Sequence, residues 1–169
     1  MGRCLHPLER RGYFGVCFLR PKYQGNVGAI MRSAFNFGAK FMVIVGARYE
    51  RESSDTVNIA DKLPIVRLVN EAALIAWAPP ELRFVSMELT PEARALPSYD
   101  HPKMALYVVG PEDGNVPADV LALGEAIQIP GSGVLNASIA ASIVLYDRIA
   151  KRARLYRRQV VDKIELEVR

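Results

Sequence analysis

The stretch from Ile127 to Arg148 constrains the fold of this chain more than any other part of its sequence. A short apolar strand runs into Pro130, the loop Gly131–Gly133 follows, and a helix begins soon after it. The thirteen residues Val134–Tyr146 carry no charge. A membrane-spanning helix needs about 20 apolar residues, so this segment predicts a helix buried in a protein core or an interface. A strand, a glycine loop and a helix in this order typically present backbone N–H groups to a ligand.

Apolar segments that alternate with helical segments predict an α/β fold with a mostly parallel sheet and helices on both of its faces. The expected strands are 13–19, 40–45, 65–68, 82–86, 104–109 and 126–129, and the expected helices are 26–37, 71–77, 117–123 and the segment after the glycine loop. Ligands of parallel sheets bind at the carboxyl ends of the strands. We therefore expect the turns that follow Leu19, Val109 and Ile129 to converge on one site.

The first expected helix has two apolar faces. Asn26 is expected to cap its start and Gly38 to end it. Met31 and Phe35 lie opposite the apolar face that contains Ile30. A surface helix of a monomer would carry polar residues there, so we expect another element or a partner to cover these two residues, and a homodimer is the economical choice.

The charge of the chain is concentrated at one end. The net charge is +4, and residues 147–169 hold eight Lys or Arg against four acids, so this segment accounts for all of it. A concentrated positive charge favours a polyanion as partner. A solvated helix end explains the same pattern, because cations also suit the negative end of the helix dipole. Charge alone leaves both interpretations open.

Composition argues against several other classes of protein. Cys4 and Cys17 are too few for a disulfide framework, which favours reduced thiols in a cytoplasmic protein. His6 and His101 each stand beside a proline, and no cluster of His, Cys and Asp predicts a metal site. The amino terminus has no long apolar run, so we expect neither a signal peptide nor a membrane segment.

Three motifs contain candidate functional residues. In the first, Arg32 follows Gly28 by one helical turn, where it is either solvated or directed at a pocket near the helix start. In the second, Glu112 follows Gly110 in a turn that is either an ordinary surface turn or a ligand loop. In the third, Asn136 stands where a dinucleotide fingerprint needs its third glycine, which argues against a dinucleotide site and leaves Asn136 as a helix cap.

Together and in this order, the three motifs resemble those of the SPOUT methyltransferases of the TrmH (SpoU) type. The resemblance covers about residues 12–150. The matching residues are Asn26, Gly28, Ile30, Arg32, Ala34, Phe37 and Gly38, then Gly110, Glu112 and, one place early, Gly114, then Ile127, Ile129, Pro130, Leu135, Asn136, Ser138 and Ala140. The resemblance implies an α/β sheet with a C-terminal trefoil knot and a homodimer packed through the first and last helices. It also implies S-adenosylmethionine as cofactor and methylation of a ribose 2′-hydroxyl of RNA, with tRNA as the expected substrate.

The resemblance also implies roles for individual residues. Carried over by motif, the cofactor contacts are near Ser86, Gly110, Ile129, Val134 and Leu135. Arg32 acts on the 2′-hydroxyl, where it stabilises the developing alkoxide, and Asn26, Glu112 and Asn136 support the site. We expect a minimal single domain over residues 1–158, followed by a tail over 159–169 that is an extra strand, a partner-binding segment or a disordered end.

The sequence departs from the family pattern inside the third motif. Val134 stands where family members usually have Ser, and the loop Pro130–Leu135 is shorter than usual. These departures support an alternative, a non-catalytic RNA-binding or regulatory protein with the SPOUT fold. A third possibility is a small-molecule α/β enzyme, because residues 1–146 carry no net charge.

Overall fold

The computed structural model describes residues 12–46 and 59–167 of the chain. These residues form the strands β1 (Tyr13–Leu19), β2 (Phe41–Val45), β3 (Ile65–Leu68), β4 (Arg83–Met87), β5 (Arg94–Ala95), β6 (Met104–Val109) and β7 (Gly124–Gln128). They also form the helices α1 (Gln24–Asn36), α2 (Glu71–Trp77), α3 (Ala118–Leu121) and α4 (Ala137–Glu167).

The strands make one seven-stranded sheet in the order β3-β2-β1-β6-β4-β7-β5. Each of the six pairs of neighbouring strands is parallel. The central strands are buried on both faces, which explains their continuous apolar sequence. The structure therefore confirms the predicted parallel α/β sheet.

Helices cover both faces of this sheet, as the sequence predicts. Alternate residues of each strand point to opposite faces, so Phe18 and Cys17 belong to different apolar clusters. One cluster contains Ile30 of α1 and Val144 of α4. The other contains Leu74 of α2 together with Val120 of α3. Helices α1 and α4 thus pack on one face, and α2 and α3 on the other.

The start of α1 differs from the expected one. The helix begins at Gln24, and its N-cap is Tyr23, whose side chain makes no capping hydrogen bond. The prediction of Asn26 as the cap is wrong, because its side-chain amide donates to the carboxylate of Glu112 instead. The predicted end of the helix is confirmed, since Gly38 has a φ of +83°, a left-handed conformation that favours glycine.

The second apolar face of α1 is covered by the chain itself. Met31 is 1% exposed and belongs to the same cluster as Ile59 and Leu63, which lie in and after the 3₁₀ turn Ile59–Asp61. The ammonium of Lys62 lies 5.9 Å from the centre of the Phe35 ring. Another element of the same chain therefore takes the place that we gave to a homodimer partner. This face of α1 gives no support for a dimer.

The connection between β4 and β6 contains more structure than the sequence indicates. The polar connection after β4 contributes the edge strand β5, which has only two residues and so lacks a period-2 pattern. The 3₁₀ turn Leu96–Ser98 follows it directly. Cys4 and His6 lie outside the described residues.

Helix α4 continues far beyond the apolar segment that predicts it. Its 31 residues reach Glu167, so most of the tail over 159–169 is helical rather than an extra strand. Three of its cations hold the loop 96–103. Lys151 donates to the carbonyl of Tyr99 over 3.0 Å, Arg148 to that of Pro102 over 2.7 Å, and Arg152 to that of His101 over 3.4 Å. These three side chains therefore bind backbone carbonyls of the protein itself.

His101 joins this contact between the loop and α4. Its Nε2–H donates to the Asp147 carboxylate over 2.9 Å, and its Nδ1 accepts from the Tyr107 hydroxyl over 2.5 Å. The imidazole is 1% exposed. Burial lowers the pKa of His101 to about 4, although the hydrogen bond to Asp147 acts in the opposite direction. The ring is therefore neutral at pH 7.

We expect acid to destabilise the fold through His101. The unfolded chain binds a proton near pH 6.5 and the folded chain only near pH 4, so the free energy of unfolding falls as the pH drops through this window. The full effect is at most about 3 kcal/mol. Urea unfolding at a series of pH values measures it. In His101→Gln, which cannot take up this proton, the slope should be shallower, and an unchanged slope would contradict the assignment.

Every helix within residues 12–46 and 59–167 is too short or too polar to span a bilayer. The same residues bring no three His, Cys, Asp or Glu side chains together in a way that holds a metal ion.

Candidate active site

A pocket of about 610 Å³ opens at the carboxyl ends of four parallel strands. It is lined by Tyr23 and Asn26 after β1, by 87–89 at the end of β4, by 109–112 and 114–115 after β6, and by 127–129 and 133–137 after β7, with Ala140 and Val144 of α4. The expected convergence of the turns after Leu19, Val109 and Ile129 is confirmed. The end of β4 is a fourth contributor.

Glu112 connects two of these turns. Its carboxylate accepts from the side-chain amide of Asn26 over 2.7 Å and from the backbone N–H of Lys22 over 2.5 Å. The backbone N–H of Tyr23 lies 3.4 Å from the same carboxylate. A carboxylate that accepts several N–H groups holds its loop in one geometry. Glu112 therefore fixes the start of α1 relative to the loop after β6.

A surface ion pair reinforces this connection at the rim. The ammonium of Lys22 lies 2.5 Å from a carboxylate oxygen of Asp113. This hydrogen bond raises the pKa of Lys22 and lowers the pKa of Asp113. Both side chains are exposed, so solvent screens the pair and its contribution to stability is small.

Asn136 caps the long helix at the opposite wall of the pocket. Its side-chain oxygen accepts from the backbone N–H of Ser138 over 2.8 Å and from the Ser138 hydroxyl over 2.7 Å. The prediction that Asn136 is a helix cap is confirmed. The cap brings the start of α4 and the glycine loop to the ligand side of the sheet.

The candidate residues fall into two groups. Asn26, Glu112 and Asn136 line the pocket together with Gly110, Ile129, Val134 and Leu135. Ser86 is 1% exposed within β4 and does not line the pocket. The part of the lining at the end of β4 consists of the next residues, 87–89. Arg32 is exposed on α1 and also lies outside the lining.

The sequence interpretation missed Glu88, which directly follows β4 and lines the pocket. Its two carboxylate oxygens accept from the backbone N–H groups of Val116, over 2.7 Å, and Leu89, over 3.0 Å. The available signal was an acid immediately after a core strand, on the edge of the sheet where ligands bind. It was overlooked because Glu88 belongs to none of the three motifs.

The character of the lining fits S-adenosylmethionine, which combines a flat aromatic base, ribose hydroxyls and a positively charged sulfonium. Glu88 and Glu112 are both part of the lining, and it contains no Lys or Arg among the described residues. Apolar walls come from Leu89, Ile129 and Leu135. At Gly133, a Cβ would meet no atom within 4 Å, so the backbone there is open to a ligand.

The fold and the position of the pocket define an α/β protein with a ligand pocket at the carboxyl ends of its parallel strands. The chain belongs to the SpoU rRNA methylase family, whose model matches residues 14–146. This assignment confirms the resemblance that the three motifs indicate.

Three similar proteins extend the comparison. A 23S rRNA (uridine(2479)-2′-O)-methyltransferase from Streptomyces viridochromogenes is 26% identical over an alignment of 157 positions that covers 85% of this chain and 54% of that protein. The structure of the SpoU methyltransferase AviRb from the same organism, in complex with AdoMet, is 27% identical with a TM-score of 0.71, over 84% of this chain and 61% of that one. The TrmH/SpoU tRNA modifying enzyme of A. aeolicus shares the fold, with 21% identity and a TM-score of 0.74 over 88% of this chain and 80% of that one.

The structures of two similar proteins, AviRb and an rRNA methyltransferase from Sinorhizobium meliloti, contain AdoMet, which is the cofactor that the sequence resemblance implies. The chain spans about half the length of the 23S rRNA methyltransferase that it matches.

Proposed function

We propose that this chain is an S-adenosylmethionine-dependent methyltransferase that modifies a ribose 2′-hydroxyl of RNA, and of tRNA in particular. The observation that carries the proposal is that Asn26, Glu112 and Asn136 line the same pocket as the glycine loop. The family match and the names of the relatives support RNA over a small molecule as substrate. The proposal includes a trefoil knot formed by the segment around Pro130–Leu135.

The main task of the protein in this reaction is to position the methyl donor and the ribose hydroxyl. S-adenosylmethionine supplies an electrophilic methyl group, and the ribose hydroxyl is a weak acid that must approach it in line. Glu112 and Asn26 hold the loop after β1 against the loop after β6, which keeps the pocket in one geometry. Such positioning contributes several kcal/mol to a transfer reaction.

Arg32 has a different part in this proposal. A guanidinium stays charged at every physiological pH, so it stabilises a developing alkoxide rather than removing the proton. Arg32 is on α1, about 9 Å along the helix from Asn26, and outside the pocket lining. It therefore serves the RNA side of the reaction rather than the cofactor.

RNA contacts also involve the carboxyl-terminal part of α4. Arg148, Lys151 and Arg152 are already bound to carbonyls of the loop 96–103. The basic residues after position 152 supply the charge for a polyanion in this proposal.

The direct test combines the protein with labelled S-adenosylmethionine and with total tRNA or total rRNA in separate reactions. Nucleoside mapping then identifies the modified residue. Label in a 2′-O-methylated nucleoside of tRNA supports the full proposal, and label only in rRNA replaces the substrate. Cofactor binding without transfer to either RNA would contradict the enzyme assignment. That outcome would favour the non-catalytic alternative, for which Val134, 85% exposed at the pocket, is the main observation.

A homodimer belongs to the same proposal. Ile139, Ile143 and Tyr146 of α4 are 52%, 37% and 61% exposed, and their spacing places them on one face of the helix. The ring of Tyr146 lies 6.1 Å from that of Phe37, next to the end of α1, so the exposed apolar area continues towards that helix. An apolar strip of this kind is typical of a surface that a partner covers.

We expect the wild-type protein to be a dimer in light scattering and Ile139→Asp to be a monomer. A carboxylate buried without a partner costs several kcal/mol, enough to dissociate a dimer at micromolar concentration. Leu123→Asp is the matched control, because Leu123 is 38% exposed in the turn between α3 and β7, and α3 packs on the opposite face of the sheet from α4. It should not change the oligomeric state. A monomeric wild type, or a dimeric Ile139→Asp, would rule out this interface.

A further inference from the structure

We propose that Glu88 binds the ribose hydroxyls of the cofactor and so selects a ribonucleoside ligand. This inference rests on the proposed function in one respect, namely that S-adenosylmethionine occupies the pocket at the carboxyl ends of the strands. Glu88 is outside the three sequence motifs, and its role follows from its contacts.

The backbone of Glu88 is held at the end of β4, which lies between β6 and β7 in the sheet. Its N–H donates to the carbonyl of Ile127 over 3.1 Å, which extends the pairing between β4 and β7 by one residue. The side chain is directed towards the loop after β6, where its Oε2 accepts from the N–H of Val116. Glu88 thus connects the end of β4 with β7 through its backbone N–H and with the loop after β6 through its carboxylate.

Glu88 keeps acceptor capacity for a ligand. A carboxylate oxygen accepts up to two hydrogen bonds, and here each oxygen accepts one, from Val116 and from Leu89. The other acid of the lining differs, because Glu112 is surrounded by the amide of Asn26 and two backbone N–H groups. Glu88 is therefore the acid in this pocket with both a fixed position and open lone pairs.

The surroundings of Glu88 leave space for a ligand beside its carboxylate. A Cβ built on Gly110 would lie 3.8 Å from Oε2 of Glu88 and 3.2 Å from the side chain of Val116. The missing side chain at Gly110 leaves the carboxylate accessible from the pocket. Since no Lys or Arg belongs to the described lining, no cation of the lining competes for this carboxylate.

A carboxylate at the carboxyl edge of a parallel sheet suits vicinal hydroxyls. Acids in this position bind the ribose 2′-hydroxyl in dinucleotide-binding α/β folds, because the hydroxyl donates to an acceptor that is already fixed. The adenine amino group and the methionine ammonium are the other donors of the cofactor. They are the competing partners for Glu88 in the test.

The test is a thermodynamic cycle measured by calorimetry with the full chain. The ligands are S-adenosylhomocysteine and its 2′-deoxy and 3′-deoxy analogues, and the variant is Glu88→Gln. We expect Glu88→Gln to lower the affinity for S-adenosylhomocysteine roughly 10-fold or more, which is the effect of removing a hydrogen bond to a charged group. Against at least one deoxy analogue, the variant and the wild type should agree within about 2-fold.

Glu92→Gln is the matched control, since Glu92 is an exposed acid in the same connection between β4 and β5. It should bind all three ligands as the wild type does. Glu88→Asp keeps the charge but shortens the side chain, and it should also lose affinity for S-adenosylhomocysteine. It replaces Glu88→Gln in the cycle if thermal unfolding shows that the latter does not fold.

An equal loss for all three ligands would overturn the proposal, because Glu88 would then act on the adenine, on the ammonium or only on the loop. Unchanged affinity in Glu88→Gln would overturn it as well. A wild-type protein that binds none of the ligands overturns the cofactor assignment itself and Glu88's role with it. That result is distinct from a failed cycle in a protein that binds S-adenosylhomocysteine.

Discussion

Arg32→Ala should lower methyl transfer to RNA roughly 100- to 1,000-fold, the loss typical of removing one group that stabilises a developing oxyanion. Affinity for S-adenosylmethionine should stay within about 2-fold of the wild type, because Arg32 lies outside the pocket lining. Single-turnover transfer of labelled methyl groups measures the first quantity, and calorimetry measures the second. The two measurements together separate a role in the reaction from a role in cofactor binding.

Two variants control this experiment. Arg32→Lys keeps the charge and loses the planar fork, so it should recover only part of the activity. Arg83→Ala removes an exposed arginine at the amino end of β4, on the edge of the sheet away from the pocket, and should retain activity. Wild-type transfer rates in Arg32→Ala would exclude the proposed role of this residue.

Arg148→Ala should lower the free energy of unfolding by about 3–5 kcal/mol, the range for removing one partner of a buried polar network. The guanidinium is fully buried and donates to the carbonyls of Pro102 and Lys103 and to the hydroxyl of Tyr107. It also lies 4.7 Å from the centre of the Phe14 ring. Truncation leaves these acceptors and rings without their partner inside the core.

Chemical denaturation monitored by circular dichroism measures this loss, which corresponds to a fall in Tm on the order of 10 °C. The control is Arg94→Ala, which removes a half-exposed arginine paired with Glu125 and should cost no more than about 1 kcal/mol. Equal stability of the two variants would show that the Arg148 network is not a main support of α4.

Most of the fold was predictable because its signals are local. The strands 13–19, 65–68 and 104–109 and the helix 71–77 occur as predicted, since each is a short apolar or amphipathic run between turn residues. The parallel sheet with helices on both faces follows from their alternation. The edge strand β5 was not predictable, because two residues are too few for a pattern.

The candidate site was predictable only where a residue belongs to a motif. Asn26, Glu112 and Asn136 occur in recognisable patterns, and the fold brings them to one pocket. Glu88 has no motif, and its position became visible through its hydrogen bonds to Val116 and Leu89. Asn26 shows the converse, since its sequence position favours a cap whereas its amide binds Glu112, which is 86 residues away in the chain.

The sequence by itself determined the family, the order of the strands along the chain and the loops that form the pocket. Hydrophobic periodicity, glycine turns and ordered motifs depend on residues that are close together in the sequence. Only the tertiary structure decided which side chains meet. In that structure, residues of the same chain cover Met31, and Arg148 and His101 belong to one buried hydrogen-bond network. Glu88 lies in the pocket at the carboxyl ends of the strands. The physical reason is that each of these contacts joins residues distant in sequence, whose proximity depends on how the sheet and its helices pack.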